Sequence, residues 1–543
     1  MEKRIVSKDV GKYGMVSTAS APATKAGVEI LKAGGNAFDA AIAIGYALGV
    51  SEPQASGIGG QSMALIYHAK TKKYAALDGS SYAPYHFQPA SMPESPVKSG
   101  LRATTLPSSV AFYGYLLDAY GSMPIHEVLN PAITLCEEGV EVTPLIHRLL
   151  KANQKELLKD ATIARRFFKD GAPLTPGALL VQPELASCMR RLSEAGWKDF
   201  YTGATAERIV QDMERRGGWL RQEDFSQIPI PLERPVLTGK YRQYGIVTFP
   251  PPGAGRVLIQ VMNILEHFEA GRIDLMTPYG NLVLALAFQL TLSDRRRLPQ
   301  HPDIYFQKTQ KTMRDKTYAA EVTATIEDLL THLDGAEGPP VPKTSGETTH
   351  FSVADRFGNI VSVTQSIELV FGAKRMADSL GFFYNNYMNA FDYKDRTHPY
   401  YLLPRNRPWS SVAPTIITVR RRPRLVLGSP GSARISTTLA QVLLRYLDQG
   451  FTLEDAIAAP RFHTSHEKRL QLEHPRFEKS VADAFEHMGF KLKKRDAYSF
   501  YLGCVQAIEL PHGKNRFQFV GVADPRRDGT ASAPRGKAED KNR

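Results

Sequence analysis

Cysteine is scarce in this chain: three in 543 residues, at Cys136, Cys188 and Cys504, far apart from one another. That excludes a disulfide framework and leaves no ligand spacing for a zinc site. No apolar run reaches the length of a membrane span. The most apolar helix candidate, Ala37 to Val50, is too short to cross a bilayer and reads as a buried core helix. The opening stretch MEKRIVSKDVGKYGMVST has no apolar segment of the secretory kind, so the expected compartment is the cytoplasm. Formal charge is +13, but the positives are scattered and no basic run is interleaved with aromatics. Neither nucleic acid nor a membrane is an expected partner, and an anionic substrate or solubility accounts for the charge. Nothing in the composition calls for a metal or an organic cofactor.

Apolar residues make up 43% of the chain, ample for a large core. Residues 22 to 33 predict a helix opening at Pro22 and stopping at Gly34 and Gly35. Asn36 is placed to cap the next one. A glycine-rich loop, SEPQASGIGG, enters a strand at about Ser62, and residues 70 to 82 suggest another. From Pro107 to Ala270 the pattern is mostly helical. The polar segment from Arg295 to Ser345 reads as an exposed linker. Beyond it strands recur, at Ser411 to Val419 and Leu425 to Gly428, with Arg420 to Arg424 as a solvated turn between them. GSPGSAR then leads into a helix with Ile435, Leu439, Val442 and Tyr446 on one face. Residues 534 to 543 look disordered. The chain is thus helical first and strand-rich later, an α+β pattern.

Between the linker and the late strands lies TSGETTHFSVADRFGNIVSV, residues 344 to 363. It reads as a β-hairpin, with Asp355, Gly358 and Asn359 supplying the turn. Thr348, Thr349 and His350 stand where its first strand begins. One reading is simply a β-former opening a strand. Another is chemical. A threonine hydroxyl is a weak nucleophile that needs a nearby base. If the chain is cut before Thr348, the new α-amine supplies that base with a pKa of about 8.

The block TTHFSVADRFGNIVSVTQSIELVFG, continuing to LGFFYNNYMNAF, resembles the γ-glutamyltransferase family without a gap from Thr348 to Phe391. RPWSSVAPTI (407–416) resembles its serine-pair motif and GSPGSARI (428–435) its glycine motif. AGGNAFDAAIA, SEPQASGIGG, APRFH and ADPRRDG also fit, in order, along almost the whole chain. The resemblance implies an N-terminal nucleophile hydrolase fold, a four-layer αββα sandwich. It implies a precursor cut between Glu347 and Thr348 into a large subunit of residues 1 to 347 and a small one of 348 to 543. Thr348 would be the nucleophile, and Ser366 its hydrogen-bonding partner. The backbone N–H groups of Gly431 and Ser432 would form the oxyanion hole, provided that Ser432 takes the dihedrals of the family's glycine.

The substrate pocket departs from the family's pattern. Ser410 and Ser411 match the serine pair that grips a carboxylate, but the companion arginine maps to Ser80. Serine does not replace a bidentate charged contact. Arg102 is a nearby candidate for that role. The family's ammonium-binding asparagine, glutamine and aspartate map to Glu368, Tyr387 and Ala390. Glu368 is a candidate to take over the ammonium. The segment from Phe391 to Arg407, which includes a lid in some members, looks short. Three readings stay open on the sequence alone. One is a self-cleaving threonine amidase acting on γ-glutamyl compounds such as glutathione. The second is an amidase for a small-molecule or peptide amide of another kind, oxamate-like or a β-lactam side chain. The third is an inactive binding protein on the same fold.

Overall fold

The computed structural model describes residues 6–87, 95–307, 312–331, 346–512 and 518–536. Two seven-stranded sheets carry the fold. In chain order their strands are β1 (Ser7–Gly11), β2 (Gly14–Thr18), β3 (Gln61–His68), β4 (Lys73–Gly79), β5 (Leu232–Arg234), β6 (Leu237–Tyr241) and β7 (Tyr244–Thr248). There follow β8 (Gly346–Asp355), β9 (Ile360–Leu369), β10 (Thr415–Val419), β11 (Arg422–Gly428), β12 (Gln506–Glu509), β13 (Phe519–Ala523) and β14 (Thr530–Ser532). The first sheet runs β14-β2-β8-β9-β3-β4-β5 and the second β1-β13-β12-β11-β10-β7-β6. Every neighbouring pair in both is antiparallel. These are the helices and antiparallel sheets of an α+β protein.

Strand alternation decides what each face of the first sheet buries. Phe351, Val353, Val361 and Val363 join Val16 and Ile66 in a cluster with the helices α1 (Ala21–Lys32), α2 (Ala37–Ser51) and α3 (Ser109–Tyr120). On the opposite face Met15, Leu65, Ala354 and Ile360 meet Val247, Ile416, Val426 and Ile508 of the second sheet. The far face of that sheet, with Ile246, Ile417, Leu425 and Leu427, packs with α4 (Gly255–Glu266), α5 (Pro278–Arg297), α6 (Lys316–Thr331) and α7 (Arg434–Leu447).

Local chemistry fixes these elements as expected in several places. Asn36 accepts from the amides of Phe38 and Asp39, and the Asp39 carboxylate accepts from the Asn36 amide, a reciprocal cap for α2. Every residue of α2 is buried. The hairpin turn between β8 and β9 is tied by Asp355, whose carboxylate accepts from Phe357, Asn359 and, across the fold, the Ala37 amide at the start of α2. Gly358 has φ +89°, which favours glycine there. Arg420 and Arg421, at φ 49° and 64°, make the turn between β10 and β11.

Four expectations need correction. The segment from Arg295 to Ser345 is not a linker throughout: Lys316–Thr331 is helix α6, and Ala319, Val322 and Ile326 are buried in the core. Its charged face hid a helical stripe. Residues 332–345 lie outside the described residues. The helical stretch from Pro107 to Ala270 also contains β5, β6 and β7. The strand expected from Ser411 begins at Thr415, directly after Pro414, which has no N–H to give a ladder. In the expected tail, Arg535 pairs with Asp9 at 2.5 Å, so order continues past residue 534; residues 537–543 lie outside the described residues.

Candidate active site

Thr348 lies at the start of β8, in the middle of the first sheet, between β2 and β9. The β8–β9 register slips here: Glu347 faces Glu368, but Thr349 faces Gln365. Two residues of β9, Ser366 and Ile367, therefore oppose Thr348 alone. Such a bulge re-aims the side chains beside it. The Thr348 hydroxyl donates to Ser366 Oγ at 3.3 Å. Ser366 Oγ in turn donates to the Glu347 carbonyl oxygen at 2.7 Å and accepts from the Glu368 amide at 2.8 Å. One serine thus touches both the candidate nucleophile and the carbonyl of the peptide bond before it. A hydroxyl donating to a carbonyl withdraws electron density and prepares it for attack.

The histidine of the Thr-Thr-His triplet has a different place. His350 is fully buried between the sheets, with Nδ1 2.9 Å from Thr364 Oγ1 and Nε2 3.2 Å from Ser362 Oγ. Burial lowers its pKa to about 3, so the ring is neutral at working pH. A β-carbon at Gly428 would lie 2.1 Å from the ring, so this glycine lets the second sheet approach. His350 is a packing element of the sheet interface, and Thr349 donates at 2.5 Å to Glu52.

Glu52 belongs to a buried ionic group that sequence reasoning did not see. Arg527 Nη1 reaches Glu52 Oε1 at 3.3 Å, and Nη2 reaches Glu347 Oε2 at 2.8 Å. All three residues are buried. Burial pushes both carboxyls above the usual carboxylate range, and Arg527 pulls each back. Glu52 and Arg527 stand inside SEPQASGIGG and ADPRRDG, two motifs visible in the sequence. For Glu52 the available signal was a lone charge in a motif of otherwise small, polar or apolar residues; Arg527, among the charges of ADPRRDG, had no such signal.

Gly431 and Ser432 form the loop before α7, with φ of +127° and +55°. Ser432 thus adopts a left-handed conformation open to its glycine counterpart, at a cost of about 1 kcal/mol. Neither of their amides has a hydrogen-bond acceptor among the described residues. Two adjacent available N–H donors are what an oxyanion hole requires.

The expected pocket residues divide. Glu368 has φ +81° and accepts from Asn389 Nδ2 at 3.2 Å. Burial lifts its carboxyl to about 7, opposed by that hydrogen bond. Tyr387 is buried within reach of Ser366 and Gln61. Its phenol is pushed up first by burial and then by the Glu368 charge. Ala390 closes the same short turn, Tyr387–Ala390. Ser410 and Ser411 sit on the loop before β10, held by Arg295, which donates to Ser410 O at 2.7 Å and Ser411 Oγ at 3.1 Å. Arg295 also lies over the Trp409 ring. Ser80 is buried and donates to Asp78 at 2.5 Å. Arg102 donates to the Gly217 carbonyl at 3.3 Å and lies over Trp219; among the described residues no hydrogen bond or ion pair joins it to the serine pair or Thr348. Among the described residues no group of three or more His, Cys, Asp and Glu is placed to hold a metal.

The profile of the family described as Gamma-glutamyltranspeptidase matches residues 23–534. The glutathione hydrolase proenzyme of Escherichia coli (strain K12) is 34% identical over 542 residues, 95% of this chain and 90% of that one. The acylase ACY 1 proenzyme of Pseudomonas sp. (strain V22) is 33% identical over 544 residues, 96% of this chain and 94% of its own. Cephalosporin acylase from Bacillus halodurans superposes with a TM-score of 0.88 at 28% identity, covering 99% of this chain and 98% of its own. Fold and likeness together define an enzyme of amide bonds, hydrolase or acyltransferase, made as a self-cleaving precursor. The chain belongs to the γ-glutamyltranspeptidase family.

Proposed function

We propose that Thr348 is the nucleophile of both reactions, self-cleavage and substrate turnover. The observation that carries this is the Ser366 bridge between the Thr348 hydroxyl and the Glu347 carbonyl. In the precursor Thr348 Oγ attacks that carbonyl and the C–N bond breaks. The hydroxyl proton ends on the departing Thr348 nitrogen, and water hydrolyses the resulting ester. The products are residues 1–347, ending in the Glu347 carboxylate, and 348–543, beginning with a free amine. That amine, with an ordinary pKa of about 8, then takes the hydroxyl proton when Thr348 attacks a substrate amide. The amides of Gly431 and Ser432 stabilise the tetrahedral oxyanion. The leaving amine departs protonated, and water or a second amine takes the acyl group from Thr348. The four-layer αββα arrangement is supported by the cluster between the sheets and the helices against their outer faces.

The acyl group we assign is γ-glutamyl, with glutathione among its sources. Glu368 is set to meet the α-ammonium, and Ser410 with Ser411 to meet the α-carboxylate. A second reading, an amidase for a non-glutamyl acyl group, is favoured by Ser80 in place of the family's arginine and by the likeness to acylases. The first test is the intact mass of denatured protein beside Thr348→Ala. Two fragments in the wild type, the smaller starting at Thr348, and a single chain in the mutant are expected. A single uncut wild-type chain overturns the proposal. Turnover of γ-glutamyl-p-nitroanilide against a panel of other anilides then separates the two acyl readings.

A further inference from the structure

Arg527 is 5% exposed and divides its guanidinium between two carboxylates. Its Nε–H has no hydrogen-bond partner among the described residues. Nε and Nη2 lie on one edge of the guanidinium, the edge that grips a carboxylate with two parallel bonds. At present that edge makes one bond, from Nη2 to Glu347 Oε2 at 2.8 Å. Glu347 is also the residue whose carbonyl Thr348 attacks first. Along Glu347, Cα, Cβ and Cγ separate that carbonyl from the side-chain carboxylate. A γ-glutamyl group places the same run of carbons between its reactive carbonyl and its α-carboxylate.

Self-cleavage releases Glu347 from the peptide bond that holds it. If its carboxylate withdraws, Arg527 keeps Glu52 on Nη1 but has two buried donors without acceptors, which is costly. We propose that Arg527 then receives the carboxylate of the acyl donor, supplying the charged contact that Ser80 cannot. This rests on the reading of Thr348 as nucleophile. The precursor's own glutamate occupies the carboxylate site before cleavage, with carbonyl and carboxylate spaced as in the substrate.

The test uses purified wild-type protein whose cleavage has been checked by mass. Glutaryl-p-nitroanilide and pentanoyl-p-nitroanilide share their carbon chain length and differ in the terminal carboxylate. The expected result is a kcat/KM at least about tenfold higher for the glutaryl donor, with succinyl and adipoyl anilides both poorer. In Arg527→Lys and Arg527→Gln the glutaryl-to-pentanoyl ratio should fall toward one, mainly through KM. If both variants stay uncut, a crystal structure of the wild type with glutarate decides. Glutarate oxygens within hydrogen-bond distance of Arg527 support the assignment; a carboxylate held only by Ser410 and Ser411 overturns it. A cleaved enzyme indifferent to the carboxylate defeats the Arg527 assignment alone. An uncut wild-type chain defeats the Thr348 reading and this one with it.

Discussion

At the scale of single residues, Ser366 carries the heaviest chemical load. Its Oγ joins the proposed nucleophile and the carbonyl proposed to be cleaved, so Ser366→Ala removes both contacts at once. Self-cleavage of the variant should slow by about 10²- to 10³-fold, the usual cost of losing one preorganised donor to a developing oxyanion. A time course of fragment formation measures it, and Ser366→Thr should restore most of the rate. Glu368 predicts a pH effect. Its carboxyl, lifted to about 7, is neutral below that pH and charged above it. If it grips a substrate ammonium, KM for γ-glutamyl-p-nitroanilide should fall as pH rises through 7, and Glu368→Gln should flatten the change. Thr348, Ser366, Gly431 and Ser432 could be put forward from the sequence because each stands in a short contiguous motif. Arg527 and Arg295 were not legible in the same way. Arg527 meets Glu347 across 180 residues of chain, and no local pattern encodes such a pair. Arg295 sits in a charged cluster whose neighbours, Arg296 and Arg297, are exposed, which made the whole run look solvated.

At the scale of elements, the β8–β9 hairpin was readable because its turn chemistry is local: Asp355, Gly358 and Asn359 each have a physical job within five residues. Helix α6 was missed because it buries one narrow stripe, and its other positions have a linker's polarity. What holds the hairpin against the second sheet is less visible in sequence. Beside the apolar cluster between the sheets, it includes the close approach of Gly428 on β11 to the His350 ring. His350 cannot yield easily, because Thr364, Ser352 and Ser362 fix its ring nitrogens. Gly428→Ala should therefore destabilise the protein by about 1–3 kcal/mol, as overpacking of a well-filled core does. Chemical denaturation would register this as a lower midpoint with an unchanged slope.

At the scale of the whole molecule, the proposed cut falls between strands that belong together. β2 pairs with β8 and β14, β3 with β9, β1 with β13, and β7 with β10. Each of these ladders joins a residue before Thr348 to one after it. The two pieces should therefore elute as one species on native size-exclusion chromatography and part only in denaturant. Fragments that separate in native buffer would mean that the sheets do not survive cleavage.

The ionic group of Glu52, Arg527 and Glu347 has a consequence for synthesis. The chain leaves the ribosome in order, and Arg527 follows Glu347, at the proposed cut, by 180 residues. β14, which completes the sheet beside β2, comes later still. Until that stretch emerges, the Glu347 carboxylate lacks its ion pair with Arg527, and the first sheet lacks its edge. The proposed scission should then wait until the stretch from Arg527 to β14 has emerged and the sheet is complete. A chain truncated before Arg527 should keep its peptide bond, as intact mass would show.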